Sequence, residues 1–174
     1  MLVIMPALCR AEAGVGNTDA AENVGGTIPV IQKVFVSGEG YPNFFSGITV
    51  KDYRTGFKET NEGKVILTVL SNAQWKVSVR GEFKPVGKYI KPASDLLIKI
   101  KDKTVIDEGI GTGGNVNEVF LDFGPLSSED QALWMNEEGG DHCQASIDYK
   151  VLLSSGKDIP GEYSIVVTYT ISAP

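Results

Sequence analysis

The sequence is short of the residues that catalysis and cross-linking most often use. Its 174 residues include two cysteines, Cys9 and Cys143, and a single histidine, His142. One histidine and two cysteines fall short of the four ligands of a structural zinc site. A Ser-His-Asp hydrolase would need His142 as its base, and no serine sits in a Gly-x-Ser-x-Gly elbow. Basic charge is also scarce: 16 Lys and Arg stand against 22 Asp and Glu, a net charge of -6. That balance excludes the basic stripe that a nucleic-acid or anionic-membrane surface requires. Long apolar runs are missing too, and the stretch from Leu2 to Cys9 is far too short to span a bilayer. Carboxylate pairs for glycoside cleavage depend on tertiary separation, so 22 acids carry no information about them.

What is present is an ordinary globular composition, 42% hydrophobic and 22% charged, in a chain of one-domain length. The start, "MLVIMPALCRAEAG", reads as an export signal remnant over residues 1–13, with small residues at Ala11 and Ala13 where a peptidase would cut. No basic segment precedes its apolar run, which fits a start codon lying upstream or a degenerate signal. Removal of the signal takes Cys9 with it and leaves Cys143 without an intramolecular disulfide partner. Residues 14–27, "GVGNTDAAENVGGT", are small, polar and aperiodic, as in a flexible leader. The folded body is expected over 28–174.

From Ile28 onward the pattern has period two, the alternation of a half-buried strand. Val65, Leu67 and Val69 share a face in "KVILTVL", and Trp75, Val77 and Val79 do so in "WKVSVR". Leu96, Ile98 and Ile100 repeat it, then Val119, Leu121 and Phe123, then Ala145, Ile147, Tyr149 and Val151. In the closing "YSIVVTYTI", Tyr163, Ile165, Val167, Tyr169 and Ile171 form a β-branched and aromatic face. Pro160-Gly161 turns into that strand, so the last two strands are expected to run antiparallel across a loop. "SSEDQALWMN" reads either as a short helix capped by Ser127 or Ser128, or as an edge strand over "QALWM". The expectation is an all-β fold, an antiparallel, immunoglobulin-like β-sandwich with at most one short helix.

The closing residues also resemble a known pattern. Tyr163, three residues, Val167-Thr168-Tyr169, Ile171 and Pro174 are similar to the final motif of WxL-type bacterial surface domains, written Tyr, three residues, Leu-Thr-Trp, one residue, Leu, then proline. Trp75 and Val77 in "AQWKVSV" resemble that family's Trp-x-Leu signature. Val77 and Val167 replace leucine, Tyr169 replaces tryptophan, and the proline comes about one residue early. The likeness covers residues 64–80 and 144–174. It implies an exported β-rich domain at a bacterial cell surface, held non-covalently on the wall in typical members.

Several stretches bear on chemistry. "GIGTGGN" places Gly109, Gly111 and Gly114 at dinucleotide-fingerprint spacing, but a strand comes next where a helix N-terminus would have to hold the pyrophosphate. A long flexible hairpin loop is expected there, with no cofactor. "EEGGDHC" gathers Glu137, Glu138, Asp141, His142 and Cys143, and adjacent strand residues point to opposite faces. It reads as an acidic turn ahead of a strand, with a loose calcium site on Glu137, Glu138 and Asp141 as the cation alternative. Trp134, Tyr89, Tyr41 and Phe44-Phe45 lie in or beside Gly/Pro-rich segments, where exposed rings would stack on sugars. Trp75 is in phase with Val77 and Val79 and reads as core, and for Trp134 core or edge packing competes with stacking.

These residues leave three classes of function. The first is an exported, non-catalytic structural or adhesive protein of the cell surface or exterior, partnered by a cell-wall polymer or by copies of itself. In it the segment carrying Ile28, Val30, Ile31, Val34 and Val36 is a candidate edge or strand-exchange element. The second is a carbohydrate-binding module using loop aromatics on a polysaccharide. The third, an enzyme, ranks last.

Overall fold

The computed structural model describes residues 27–38, 47–60, 65–106 and 112–174. The export segment, nearly all of the leader, Tyr41, Phe44, Phe45, Gly109 and Gly111 lie outside the described residues. Among the described residues ten strands occur, in the order β1 (Gln32–Gly38), β2 (Phe57–Glu59), β3 (Val65–Ser71), β4 (Trp75–Phe83), β5 (Leu96–Val105), β6 (Asn115–Val116), β7 (Gly124–Pro125), β8 (Gln131–Asn136), β9 (Asp141–Leu152) and β10 (Ile165–Ser172). One sheet runs β1-β3-β9-β5-β7, with β2 also on β9; the other runs β10-β4-β8-β6. Every strand pairing is antiparallel. The result is an all-β sandwich of two packed sheets.

The alternating residues explain why the sheets pack. Val65, Leu67 and Val69 of β3, Leu96, Ile98 and Ile100 of β5, and Ala145, Ile147, Tyr149 and Val151 of β9 are buried on one inner face. Trp75, Val77 and Val79 of β4 meet them from the other sheet. Burying a large aliphatic or aromatic side chain contributes roughly 1.5–3 kcal/mol, so these two faces drive the association. Their polar alternates, such as Lys76, Ser78 and Arg80, are left half-buried or exposed.

The structure departs from the alternation in four places. Residues 119–123 are not a strand. Glu118–Phe120 form a 3-10 turn in which the Asn117 side chain accepts the Val119 N–H at 3.1 Å, so Phe120 is buried while Val119 and Leu121 face outward. "SSEDQALWMN" contains no helix; Gln131–Asn136 is β8, lying between β4 and β6 rather than at an edge. A bulge in the β4–β8 ladder moves the pairing from Val77↔Trp134 to Ser78↔Ala132, which lets the adjacent Leu133 and Trp134 both be fully buried. The described α-helix is instead α1 (Val50–Thr55), started by a Thr49–Asp52 capping box and stopped by Gly56 in the left-handed region, φ 80°.

The fourth departure concerns the end of the chain. β9 and β10 do not pair: β10 joins β4 in the second sheet, and residues 153–164 carry the chain across. β10 begins at Ile165, so Tyr163 belongs to that crossing. It is an edge strand, with Ile165, Val167, Tyr169 and Ile171 packed against the core and Val166 half exposed.

Candidate functional site

The acidic cluster resolves into a structural centre at Asp141. Asp141 opens β9 in phase with Cys143, Ala145 and Ile147, so its side chain enters the core, 1% exposed. Its Oδ2 accepts the Trp75 indole N–H at 2.9 Å and a short hydrogen bond from the Asn136 amide, and its Oδ1 accepts the Gly113 N–H at 2.9 Å. Trp75 belongs to the opposite sheet, so the carboxylate ties the two sheets together. Three donors occupy both oxygens, which corrects the calcium alternative at Asp141: a cation would have to displace hydrogen bonds that a buried carboxylate needs. Glu137 and Glu138 are exposed, and among the described residues no group of three His, Cys, Asp or Glu is placed to hold a metal. Cys143 lies beyond reagents, fully buried, with burial pushing its thiol up to about 12.

The same network explains the glycine pair. The Gly113 carbonyl accepts the Trp134 indole N–H at 2.8 Å, and its N–H is held by Asp141. At Gly114, φ is +60° and an added Cβ would fall 2.3 Å from the Met135 carbonyl oxygen, so the backbone there lies directly against β8. The chain continues into β6 and not into a helix, so no helix N-terminus faces this turn.

Trp134 is fully buried, its ring edge-on to Trp75 with centroids 5.2 Å apart. Packing is therefore its role, and the sugar-stacking expectation is corrected: neither ring face is open to a ligand. Tyr89 is half-buried, its ring edge-on to that of Tyr163 with centroids 6.2 Å apart. Its hydroxyl donates to Asp158 at 3.3 Å.

Around that tyrosine lies a charged cluster that period-two reasoning could not see. Lys91 is the most buried cation described, its side chain 1% exposed, between Asp158 at 2.7 Å and Asp95 at 2.9 Å. The Asp158 side chain is 3% exposed, and its Oδ2 accepts the Ser154 N–H at 2.8 Å. Burial, the largest influence on Lys91, would lower its pKa, but hydrogen bonds and charges from the two aspartates outweigh it and hold the ammonium above its ordinary value. Above the pair opens a cleft of about 250 Å³ lined by Ile48, Tyr53, Ile159, Pro160 and Tyr163. Tyr163 closes a local loop, its hydroxyl donating to the Ile159 carbonyl at 2.6 Å and accepting the Ile159 N–H at 2.9 Å.

The candidate edge segment sits where its name requires. Among the described residues β1 ends its sheet, paired on one side with β3 over seven residues from Gln32↔Ser71 to Gly38↔Val65. Val34 packs on the core, while Phe35 is 50% and Val36 41% exposed. Ahead of it Ile28, Val30 and Ile31 are exposed, anchored by Asn72, whose side chain accepts the Ile31 N–H and donates to the Pro29 carbonyl.

Of the residues of the surface-domain resemblance, Val77, Val167, Tyr169 and Ile171 lie in one ladder, while Trp75, Tyr163 and Pro174 lie outside it. Trp75 and Val77 lie on β4, Val167 and Tyr169 on β10, and the two strands pair through Ile171↔Val77 and Tyr169↔Val79. The Tyr169 hydroxyl meets that of Tyr149 on the other sheet at 2.7 Å, and Pro174 lies exposed beyond the strand. Burial raises Tyr149 to about 12 and Tyr169 well above the usual tyrosine value. No protein-family model and no curated protein matches the chain.

Proposed function

We propose that the chain is an exported, non-catalytic structural or adhesive protein that acts at a cell surface or outside the cell, by assembling with copies of itself or by holding a wall polymer. The observation that carries this reading is β1, a seven-residue edge strand with Phe35 and Val36 half exposed and an exposed apolar approach through Ile28, Val30 and Ile31. Soluble proteins blunt such edges with charge or proline, because unpaired backbone groups template pairing with another chain. β1 carries one charge, Lys33, with Pro29 ahead of it, and its exposed Phe35 and Val36 still suit a strand that a second copy extends by β-augmentation. The export-like start and the pairing of the two strands that resemble WxL-type domains favour a bacterial surface. Fractionation of producing cells tests the location: recovery in the wall or extracellular fraction is expected, and recovery wholly in the cytosol overturns it.

A second reading rests on the cleft beside Tyr53 and Tyr163, with Tyr89 behind it. Partly exposed tyrosines over a polar floor fit a saccharide, whose apolar face stacks on rings while its hydroxyls bond to charged groups. Polysaccharide pull-down that falls at least tenfold with Tyr53→Ala favours this module, and pull-down unchanged by that substitution removes it.

A further inference from the structure

Lys91, Asp158 and Asp95 form a cluster that has no part in the assembly reading and lies under the cleft of the saccharide reading. Two ions withdrawn from water are costly to keep, even when paired. Here the cation and one anion are almost completely covered, and each is fixed. Lys91 Nζ is held between two carboxylates, while Asp158 accepts from Lys91 and Tyr89 on Oδ1 and from the Ser154 N–H on Oδ2. Lys91 Nζ stands 2.7 Å from Asp158 Oδ1, the oxygen bonded to the carbon an amine would attack. Reacting atoms held at near-contact distance with fixed orientation gain the large effective concentrations of intramolecular reactions.

We propose that this cluster is a self-condensing cross-link site, in which Lys91 Nζ and the Asp158 side-chain carbon form an intramolecular amide with Asp95 as the proton relay. The structure shows the reactant pair. The two aspartates favour the ammonium, so reaction proceeds through the minor form in which proton transfer within the pair has converted ammonium and carboxylate into amine and acid. The nitrogen lone pair then forms the N–C bond. Asp95, in contact with Nζ, takes the second proton from nitrogen and returns it to the departing carboxyl oxygen. One N–C bond forms, one C–O bond breaks, and the oxygen leaves as water with the two protons the ammonium has lost. Charge balances, since a cation and an anion become a neutral amide, and no oxidant or reductant is needed. With Oδ1 departing, the carbonyl oxygen is Oδ2, and the Ser154 N–H that donates to it at 2.8 Å faces the negative charge that builds there, while the Tyr89 hydroxyl steadies the departing Oδ1. The cleft lined by both side chains gives the released water a way out.

The position of the bond gives it a use. Lys91 precedes β5 of one sheet, and Asp158 lies 67 residues further on, in the crossing that leads to β10 of the other. An amide there clamps the start of an edge strand to the body of the sandwich and closes a long loop, as a disulfide would, in a chain whose one described cysteine is buried and free. It serves a protein that must resist pulling or proteolysis whatever its ligand.

The test is peptide mapping of the purified full chain. Trypsin does not cut between Lys91 and Pro92, so the bond is expected as one branched product joining residues 89–99 to 158–174, lighter than their sum by one water. Lys91→Met removes the nucleophile and the product with it. Asp95→Asn, which leaves the amine and acid in place, is expected to slow its formation at least tenfold. Quantitative recovery of the two separate peptides from folded protein, fresh and after long incubation, overturns the proposal. So does loss of water confined to 158–174, which is cyclisation at Asp158 alone. Should Lys91→Met fail to fold, the comparison of Asp95→Asn with the unaltered chain decides the matter, since equal yields of linked product would remove the relay.

Discussion

Replacing Asp141 with alanine strips the acceptor from three buried donors at once: the Trp75 indole N–H, the Asn136 amide and the Gly113 N–H. A buried donor left without a partner costs about 1–3 kcal/mol, and relaxation around the small alanine recovers part of that. We therefore expect a loss of about 3–5 kcal/mol for Asp141→Ala. Asp141→Asn, which keeps one acceptor oxygen, should lose about 1–3 kcal/mol. With a urea m-value of about 2 kcal/mol/M, the alanine variant's midpoint falls by roughly 1.5–2.5 M. Tryptophan emission is a suitable probe, because both tryptophans of the chain are fully buried and one donates directly to Asp141. A midpoint shift under about 0.3 M would refute the role of Asp141 as the tie between sheets. A calcium-dependent rise in the wild-type midpoint that Asp141→Ala abolishes would overturn the assignment of its oxygens to N–H donors.

The same geometry fixes other outcomes. Trp134→Ala should cost about 3–5 kcal/mol in urea unfolding while leaving polysaccharide retention by the remaining folded protein unchanged, since the ring is core. Gly114→Ala, with its Cβ directed at the Met135 carbonyl and its φ at +60°, should lower the thermal midpoint, whereas alanine at Gly156, where nothing lies within 4 Å, should not. The Tyr149 phenol has a folded pKa of about 12 against an ordinary 10.0, so the unfolded chain loses that proton first as pH rises. The associated stability is complete below pH 10 and is lost between pH 10 and 12; Tyr149→Phe should lessen that fall in urea titrations at stepped pH, and the part from Tyr169, raised in the same direction, remains.

Much of the architecture was legible because the inner strands obey a strict two-residue period. Val65 to Val69, Trp75 to Val79, Leu96 to Ile100 and Ala145 to Val151 are buried in the phase the alternation gives. Pairing partners were not legible, since whether β10 joins β9 or β4 depends on where the 153–164 crossing delivers it. Residues 119–123 alternate convincingly, yet the Asn117 side chain captures the Val119 N–H and coils them into a turn. The bulge that buries both Leu133 and Trp134 breaks the alternation that would have marked β8 as inner. Asp141 did carry a signal: it is in phase with Cys143, Ala145 and Ile147, and an acid on an apolar face implies buried partners. Lys91 carried none, because it lies in irregular chain and its partner Asp158 is 67 residues away.

Light scattering across a wide concentration range, on the unaltered chain and on Phe35→Lys with Val36→Lys, tests most directly the claim that β1 is an assembly edge. Lysine on an edge strand blocks strand addition; Phe35 lies on the face opposite Val34, and Val36, on the face of the partly buried Val34, is 41% exposed. We expect the unaltered chain to grow into large, regular species as concentration rises and the double variant to remain monomeric while folded. Monomer for both chains at every concentration, or identical growth of both, would contradict it.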